Sequence, residues 1–124
     1  METASSGTAA PPDTMQPEIG QSAEITTQVT DALSAATLGN PGVNVLATPC
    51  LAGLCDAVAD KACGAGATRR MRVDIRHLAA TAIGDDVRIS AEIVSATGVL
   101  VVCRISGQDS KNEIVRGHVS RVLI

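Results

Sequence analysis

Three polar side chains stand where the pattern around them is apolar or begins a helix: Thr48, Asp56 and His77. His77 ends the run Met71, Val73, Ile75, His77, every second residue of a strand-like stretch, so it closes an otherwise apolar face. An imidazole there suits a general base, or a group that orients a water or a nucleophile, in a pocket between sheet and helix. It equally suits a core histidine whose ring nitrogens are met by backbone or water. Asp56 falls mid-helix, off the apolar stripe, together with Ala52 and Asp60. It reads as a carboxylate that activates water or attacks a carbonyl, or as part of a solvated helix face. Thr48 precedes Pro49 at a helix start and needs no role beyond a hydroxyl N-cap. The same helix start offers free backbone N–H groups and the positive end of the dipole, which can hold a carbonyl oxygen as it becomes anionic. Thr48 and Asp56 are eight residues apart, about 12 Å along a helix axis. Substrate, water, His77 or a second subunit must therefore link them.

Arg69, Arg70, Arg72 and Arg76 concentrate positive charge on the same strand-like stretch. They are a solvated face, or a rim for the phosphates of a polyanionic cofactor tail. Strict alternation predicts Arg70, Arg72, Asp74 and Arg76 on the outer face.

The elements that must position these groups are few. Leu51, Leu54, Cys55, Val58, Ala59, Ala62 and Cys63 recur at helical spacing and predict one helix over 47–63, stopped by Gly64 and Gly66. Around it the period is two. Ser22–Thr30 alternates with Ala23, Ile25, Thr27 and Val29 on one side. Strands follow at 70–77, around 87–93, at 99–105 and at 113–124. Asp31–Leu38 reads as a short helix broken by Gly39-Asn40-Pro41-Gly42. Val99–Ile105 is the most apolar strand and is placed centrally. Gly117 inside the last strand marks a bulge or a close contact. The predicted fold is α+β: one long helix wrapped by an antiparallel sheet, in the order β-α-β-β-β-β, over residues 20–124. Residues 1–19, rich in Ala, Ser, Thr, Pro and Gly, read as a disordered tail. The outer face of strands 99–105 and 113–124 reads as too apolar for a monomer, which predicts a homodimer.

Composition excludes several classes. The 124 residues contain no Phe, Tyr or Trp and carry a net charge of −3, which removes both the stacking platforms and the basic surface of a nucleic-acid binder. Cys50, Cys55, Cys63 and Cys103 form no CxxC pair, and with His77 and His118 they complete no zinc spacing, so no metal is expected. They read as small buried hydrophobes in a reducing cytosol. No apolar run approaches the ~20 residues of a membrane span, and the first residues show no signal-peptide pattern. A cytoplasmic protein without membrane or nucleic-acid partners is expected.

The stretches VNVLATPCLAGLCDAVADKA (43–62), HLAATAIGDDVRISAEIVSATG (77–98), NEIVRGHVSRVLI (112–124) and IGQSAEITTQVT (19–30) together resemble the fluoroacetyl-CoA thioesterase-like branch of hotdog acyl-CoA thioesterases. The resemblance implies a dimer of hotdog protomers with pockets at the subunit interface. It implies a triad of Thr48, Asp56 and His77, and a substrate-side arginine at Arg121. Asp56 stands where the family usually has Glu, and Arg70 where it usually has Gly. His118 stands one residue before the family's usual histidine position, which turns it to the opposite strand face.

Two functions are expected from this. One is a thioesterase hydrolysing a short acyl-CoA or related thioester, with Thr48, Asp56 and His77 catalytic and Pro49, Cys50, Arg70 and Arg121 binding substrate. It needs no cofactor beyond the coenzyme A of the substrate. The absence of aromatics predicts an acyl pocket of Ala, Val, Ile, Leu and Cys. The other is a non-catalytic hotdog module binding an acyl-CoA or another small ligand. On either reading the homodimer is expected, with a tetramer of two such dimers as its alternative.

Overall fold

The computed structural model describes residues 17–124, so most of the expected 1–19 tail lies outside the described residues. Five strands and one long helix follow: β1 (Ser22–Gln28), α1 (Thr48–Cys63), β2 (Thr68–His77), β3 (Asp86–Thr97), β4 (Leu100–Gln108) and β5 (Glu113–Leu123). All pairings are antiparallel and the sheet order is β1-β3-β4-β5-β2. The helix lies across one face of the sheet, against β3, β2 and β1 above all. This is the hotdog arrangement, and the apolar β4 is its central strand, as its composition predicts.

The core is the meeting of two periodicities. Leu51, Cys55, Val58, Ala59 and Ala62 come from the helix stripe; Val87, Ile89, Ala91, Ile93, Val101, Cys103, Ile105 and Val119 come from alternate strand positions. Each large aliphatic side chain buried there contributes about 1.5–3 kcal/mol. Gly117 is indeed a close contact. A Cβ on it would run into the Asp74 carbonyl oxygen and lie 2.6 Å from Ile75 Cα, so β5 and β2 approach only because that position has no side chain.

Three expectations change. The segment 31–38 is a single 3-10 turn, Asp31–Leu33, rather than a longer helix. Ser34 Oγ donates to the Asp31 carbonyl at 2.7 Å and accepts from Thr37 N–H, which diverts the chain. The chain then folds on itself. Ala35 N–H reaches Val45 O and Ala36 N–H reaches Val43 O, around a tight Asn40-Pro41-Gly42-Val43 turn with Gly42 at φ 81°. Second, the outer sheet face is polar over most of β4 and β5. Register sends Val101, Cys103, Ile105 and Val119 inward, leaving Arg104, Ser106, Arg116 and His118 outside, and the half-buried Leu100, Val102 and Val122 at one end. That face therefore does not argue for a dimer. Third, β2 does not alternate throughout. Its register against β5 slips between Arg70 and Arg72, so Met71 is 61% exposed and Arg70 turns to the helix side.

Candidate active site

The helix start and the end of β2 meet. Thr48 is the first helical residue; Ala47 is the N-cap residue, and no side-chain cap bond is made. The capping reading of Thr48 is therefore replaced. Its Oγ1 instead shares a 2.8 Å hydrogen bond with His77 Nδ1. Three local features hold the pair. Leu46 N–H donates to Thr81 O, and Ala47 N–H donates to Leu33 O, both at 2.8 Å, which fixes the approach to the helix. Leu78 N–H donates to Ile114 O at 2.7 Å, which fixes the chain just beyond His77.

His77 is half-buried, and its Nε2 is buried with no hydrogen-bond partner within the described residues. An unsatisfied buried ring nitrogen costs free energy, so this nitrogen is suited to meet a group from outside the chain. Within the described residues the fold itself meets only the other ring nitrogen, Nδ1, through Thr48.

The helix end beside the pair is electron-poor. Leu51 N–H is bonded to Ala47 O at 2.9 Å. The amides before it, at Thr48 and Cys50, precede the first intrahelical bond, and Pro49 has none to offer. A carbonyl oxygen placed there meets N–H groups and the positive dipole end. Thr48, Pro49 and His77 also line a groove of about 390 Å³, whose other wall is the folded-back segment with Ala35, Leu38, Asn40, Val43, Val45, Leu46 and Ala47.

Asp56 is not on a solvated face. It is buried beside the stripe, and both of its oxygens are occupied. Arg121 donates from its Nη1 to Oδ1, and Arg70 donates from Nε to Oδ2 at 2.9 Å. Arg121 is 5% exposed; it also donates to Thr68 Oγ1 at 2.7 Å, to Thr68 O at 3.0 Å and to Asp60 Oδ1 at 3.3 Å. A buried guanidinium with that many acceptors is a well-compensated charge. Thus Thr48 and His77 are brought together, whereas Asp56, Arg70 and Arg121 form a second cluster further along the helix. Sequence reading passed over Asp60 and Thr68, which complete the clamp on Arg121, and over Leu38, Asn40 and Val43 in the groove wall. Asp60 repeats Asp56 at helical spacing, but nothing local signals its approach to Arg121, and the others lie in no periodic run that would have marked them.

The four cysteines are free thiols, and all but Cys50 are buried. Burial, and then the neighbouring Asp56 charge, push Cys55 up to about 12, so it stays a thiol at neutral pH. Cys63 and Cys103 sulfurs lie 3.9 Å apart, and Cys103 is raised by that thiol contact and by burial. Among the described residues no three His, Cys, Asp or Glu side chains group to hold a metal ion, and no helix is long and apolar enough to cross a membrane.

Comparison with known proteins bears on the family and the fold. Residues 29–124 match the FlK family, described as fluoroacetyl-CoA-specific thioesterase. No curated protein sequence matches the chain. Among solved structures the chain is similar to a mutant of the fluoroacetyl-CoA-specific thioesterase FlK in complex with fluoroacetate and CoA: 24% identity, TM-score 0.78, covering 86% of this chain and 94% of that one. A second FlK mutant, in complex with acetyl-CoA, is 23% identical with a TM-score of 0.79 over 86% and 89%. A hypothetical protein of Thermus thermophilus, a thioesterase superfamily member, is 23% identical with a TM-score of 0.78 over 87% and 84%. At these identities the structural likeness establishes the hotdog fold, and the family match spans most of the chain. The chain belongs to the fluoroacetyl-CoA-specific thioesterase family of hotdog proteins.

Proposed function

We propose that this protein is a thioesterase that hydrolyses an acyl-CoA or a related thioester in the groove between the start of α1 and the end of β2. The observation that carries the reading is the 2.8 Å hydrogen bond between Thr48 Oγ1 and His77 Nδ1 at the open end of the helix. The thioester carbonyl oxygen sits against the Thr48 and Cys50 amides, with Pro49 as the floor of that turn. His77 takes the proton of the attacking oxygen, which is Thr48 Oγ1 or that of a water held beside it. The carbonyl electrons move to the oxygen at the helix end, where its charge is stabilised. Collapse breaks the C–S bond, and the departing thiolate takes the proton from His77. If Thr48 attacked, water then hydrolyses the acyl-threonine through the same base.

Asp56 enters this reading as the centre of a charge cluster. To activate water directly it would have to release Arg70 from Oδ2. The exposed Arg70, half free of the fold, is suited to bind substrate phosphate, whereas the buried Arg121 holds the helix to β5. No cofactor beyond the substrate's own coenzyme A is needed. The protein works as a homodimer. Among the described residues β2 is an edge strand of ten residues ending at His77 with nothing paired along its outer side, and an edge of that length is a ready pairing surface, which would set the groove near the subunit junction. The free thiols suit a cytoplasmic location.

The test is free-thiol release from acyl-CoAs, with Thr48→Val beside the wild type and mass spectrometry of the quenched reaction. Loss of turnover by at least a hundredfold, with wild-type protein carrying one acyl mass on Thr48, supports Thr48 as the nucleophile. The same loss without an acyl mass supports water. Unchanged turnover in Thr48→Val contradicts the site.

A further inference from the structure

The groove beside Thr48 and His77 holds more than a two-carbon acyl group requires. Its volume is about 390 Å³. A methylene occupies roughly the space of a water, about 30 Å³ in the liquid, so an acetyl group would leave most of the groove unfilled. The wall is aliphatic: Ala35, Leu38, Val43, Val45, Leu46 and Ala47. Leu38 is 50% exposed and Val43 is 44% exposed; both line this groove and neither packs into the core. Among the described residues, apart from Thr48 and His77 the only polar side chain on it is the amide of Asn40, and no charged side chain lines it. Arg70 and Arg121 are engaged with Asp56 in the other cluster.

We propose that this groove is the acyl subsite, and that it selects uncharged aliphatic acyl groups of about six to ten carbons over acetyl-sized and over ω-carboxylated ones. The inference rests on the thioesterase reading for its chemistry, but not for its shape. The occupant is fixed by continuity: Thr48, Pro49 and His77 are themselves part of the groove wall, so whatever hangs from a carbonyl at the helix end enters it. Each methylene moved from water to that wall contributes about fourfold in binding. A carboxylate at the far end would be buried against aliphatic side chains with no cation to meet it, which is strongly unfavourable. The aliphatic part of the wall comes from the segment 35–47, held by the Ala35–Val45 and Ala36–Val43 backbone bonds, so chain-length preference resides in that segment.

The experiment measures kcat/KM for acetyl-, butyryl-, hexanoyl-, octanoyl-, dodecanoyl- and adipoyl-CoA, and Kd for the non-hydrolysable thioethers S-ethyl-CoA and S-octyl-CoA. The expected result is a rise of at least thirtyfold from acetyl to octanoyl, and at least a hundredfold preference for hexanoyl over adipoyl. Val43→Trp and Leu38→Trp, both at exposed positions that tolerate bulk, should each cut the octanoyl-to-acetyl ratio at least tenfold. Turnover that is flat or falls from acetyl onward overturns the subsite and leaves the thioesterase reading standing. Adipoyl turned over as well as hexanoyl also overturns it. If no ester is hydrolysed, the thioesterase reading fails and the thioethers decide. S-octyl-CoA binding at least tenfold tighter than S-ethyl-CoA supports the groove as an acyl site, and equal affinities overturn it.

Discussion

At the scale of single residues, the site divides into a reacting pair and an anchor. Thr48 and His77 touch, and their types at those places could be read from the chain: a hydroxyl at a helix start and an imidazole closing an apolar strand face. What could not be read was the hydrogen bond itself, because capping would have satisfied the Thr48 hydroxyl equally well. Asp56 was harder. A helical wheel puts it beside the stripe, and only the long-range approach of Arg121 from β5 shows that it is buried. This makes a stability prediction. Asp56→Asn leaves Arg121 short of its main counter-charge and should cost about 3 kcal/mol, read as a lower midpoint in urea unfolding. Replacing Arg121 by Met in that background should recover much of the loss. Wild-type stability in the single variant would show that the pair anchors nothing.

At the scale of elements, the strands and the helix were legible because each keeps one period over its length. The exceptions were local. Through Arg70, Met71 and Arg72 the alternation looks unbroken in sequence, and the bulge there is set by pairing with β5, which no local pattern reveals. The folded-back segment 34–47 was legible only as a break at Gly39-Asn40-Pro41-Gly42. Its use as a groove wall depends on bonds between residues up to ten apart. Connections also carry stability of their own. Asp109 in the β4–β5 turn accepts from Lys111 N–H at 2.8 Å, Asn112 N–H at 2.7 Å and Thr81 Oγ1 at 2.9 Å. The upward push of its burial is outweighed by those two backbone donors and the Thr81 hydroxyl, so its carboxyl lies below the ordinary range. A depressed carboxylate stabilises the fold above its unfolded pKa, and that contribution is lost as pH falls through the folded value. Asp109→Ala should therefore cost about 1–2 kcal/mol at neutral pH. Its melting temperature should converge on the wild type as the solution is acidified below about pH 4. A gap that stays constant down to pH 3 would mean the turn does not depend on the charge.

At the scale of the molecule, one helix on five antiparallel strands is what a single apolar stripe and five alternating stretches can build. The oligomer is the part least legible from sequence. The run 99–105 looked apolar as a list of residues, yet register turns its largest side chains inward and sets Arg104 and Ser106 outward. The free edge of β2 is the surface that argues for pairing. Light scattering on the eluting protein should give twice the chain mass, and placing a charge on that edge by Met71→Glu, at an exposed position, should shift it toward one. A monomer with full activity would place the whole site within one chain.

The central claim is that His77 is the base of a hydrolytic site, and steady-state thiol release from an acyl-CoA series by wild-type protein and His77→Ala tests it most directly. The account predicts turnover by the wild type and a loss of about a hundredfold to ten-thousandfold in kcat for the variant, with the fold and melting temperature retained. Turnover that survives in His77→Ala, or wild-type protein that binds the esters and hydrolyses none of them, would contradict it; the second result would make the protein a binding module.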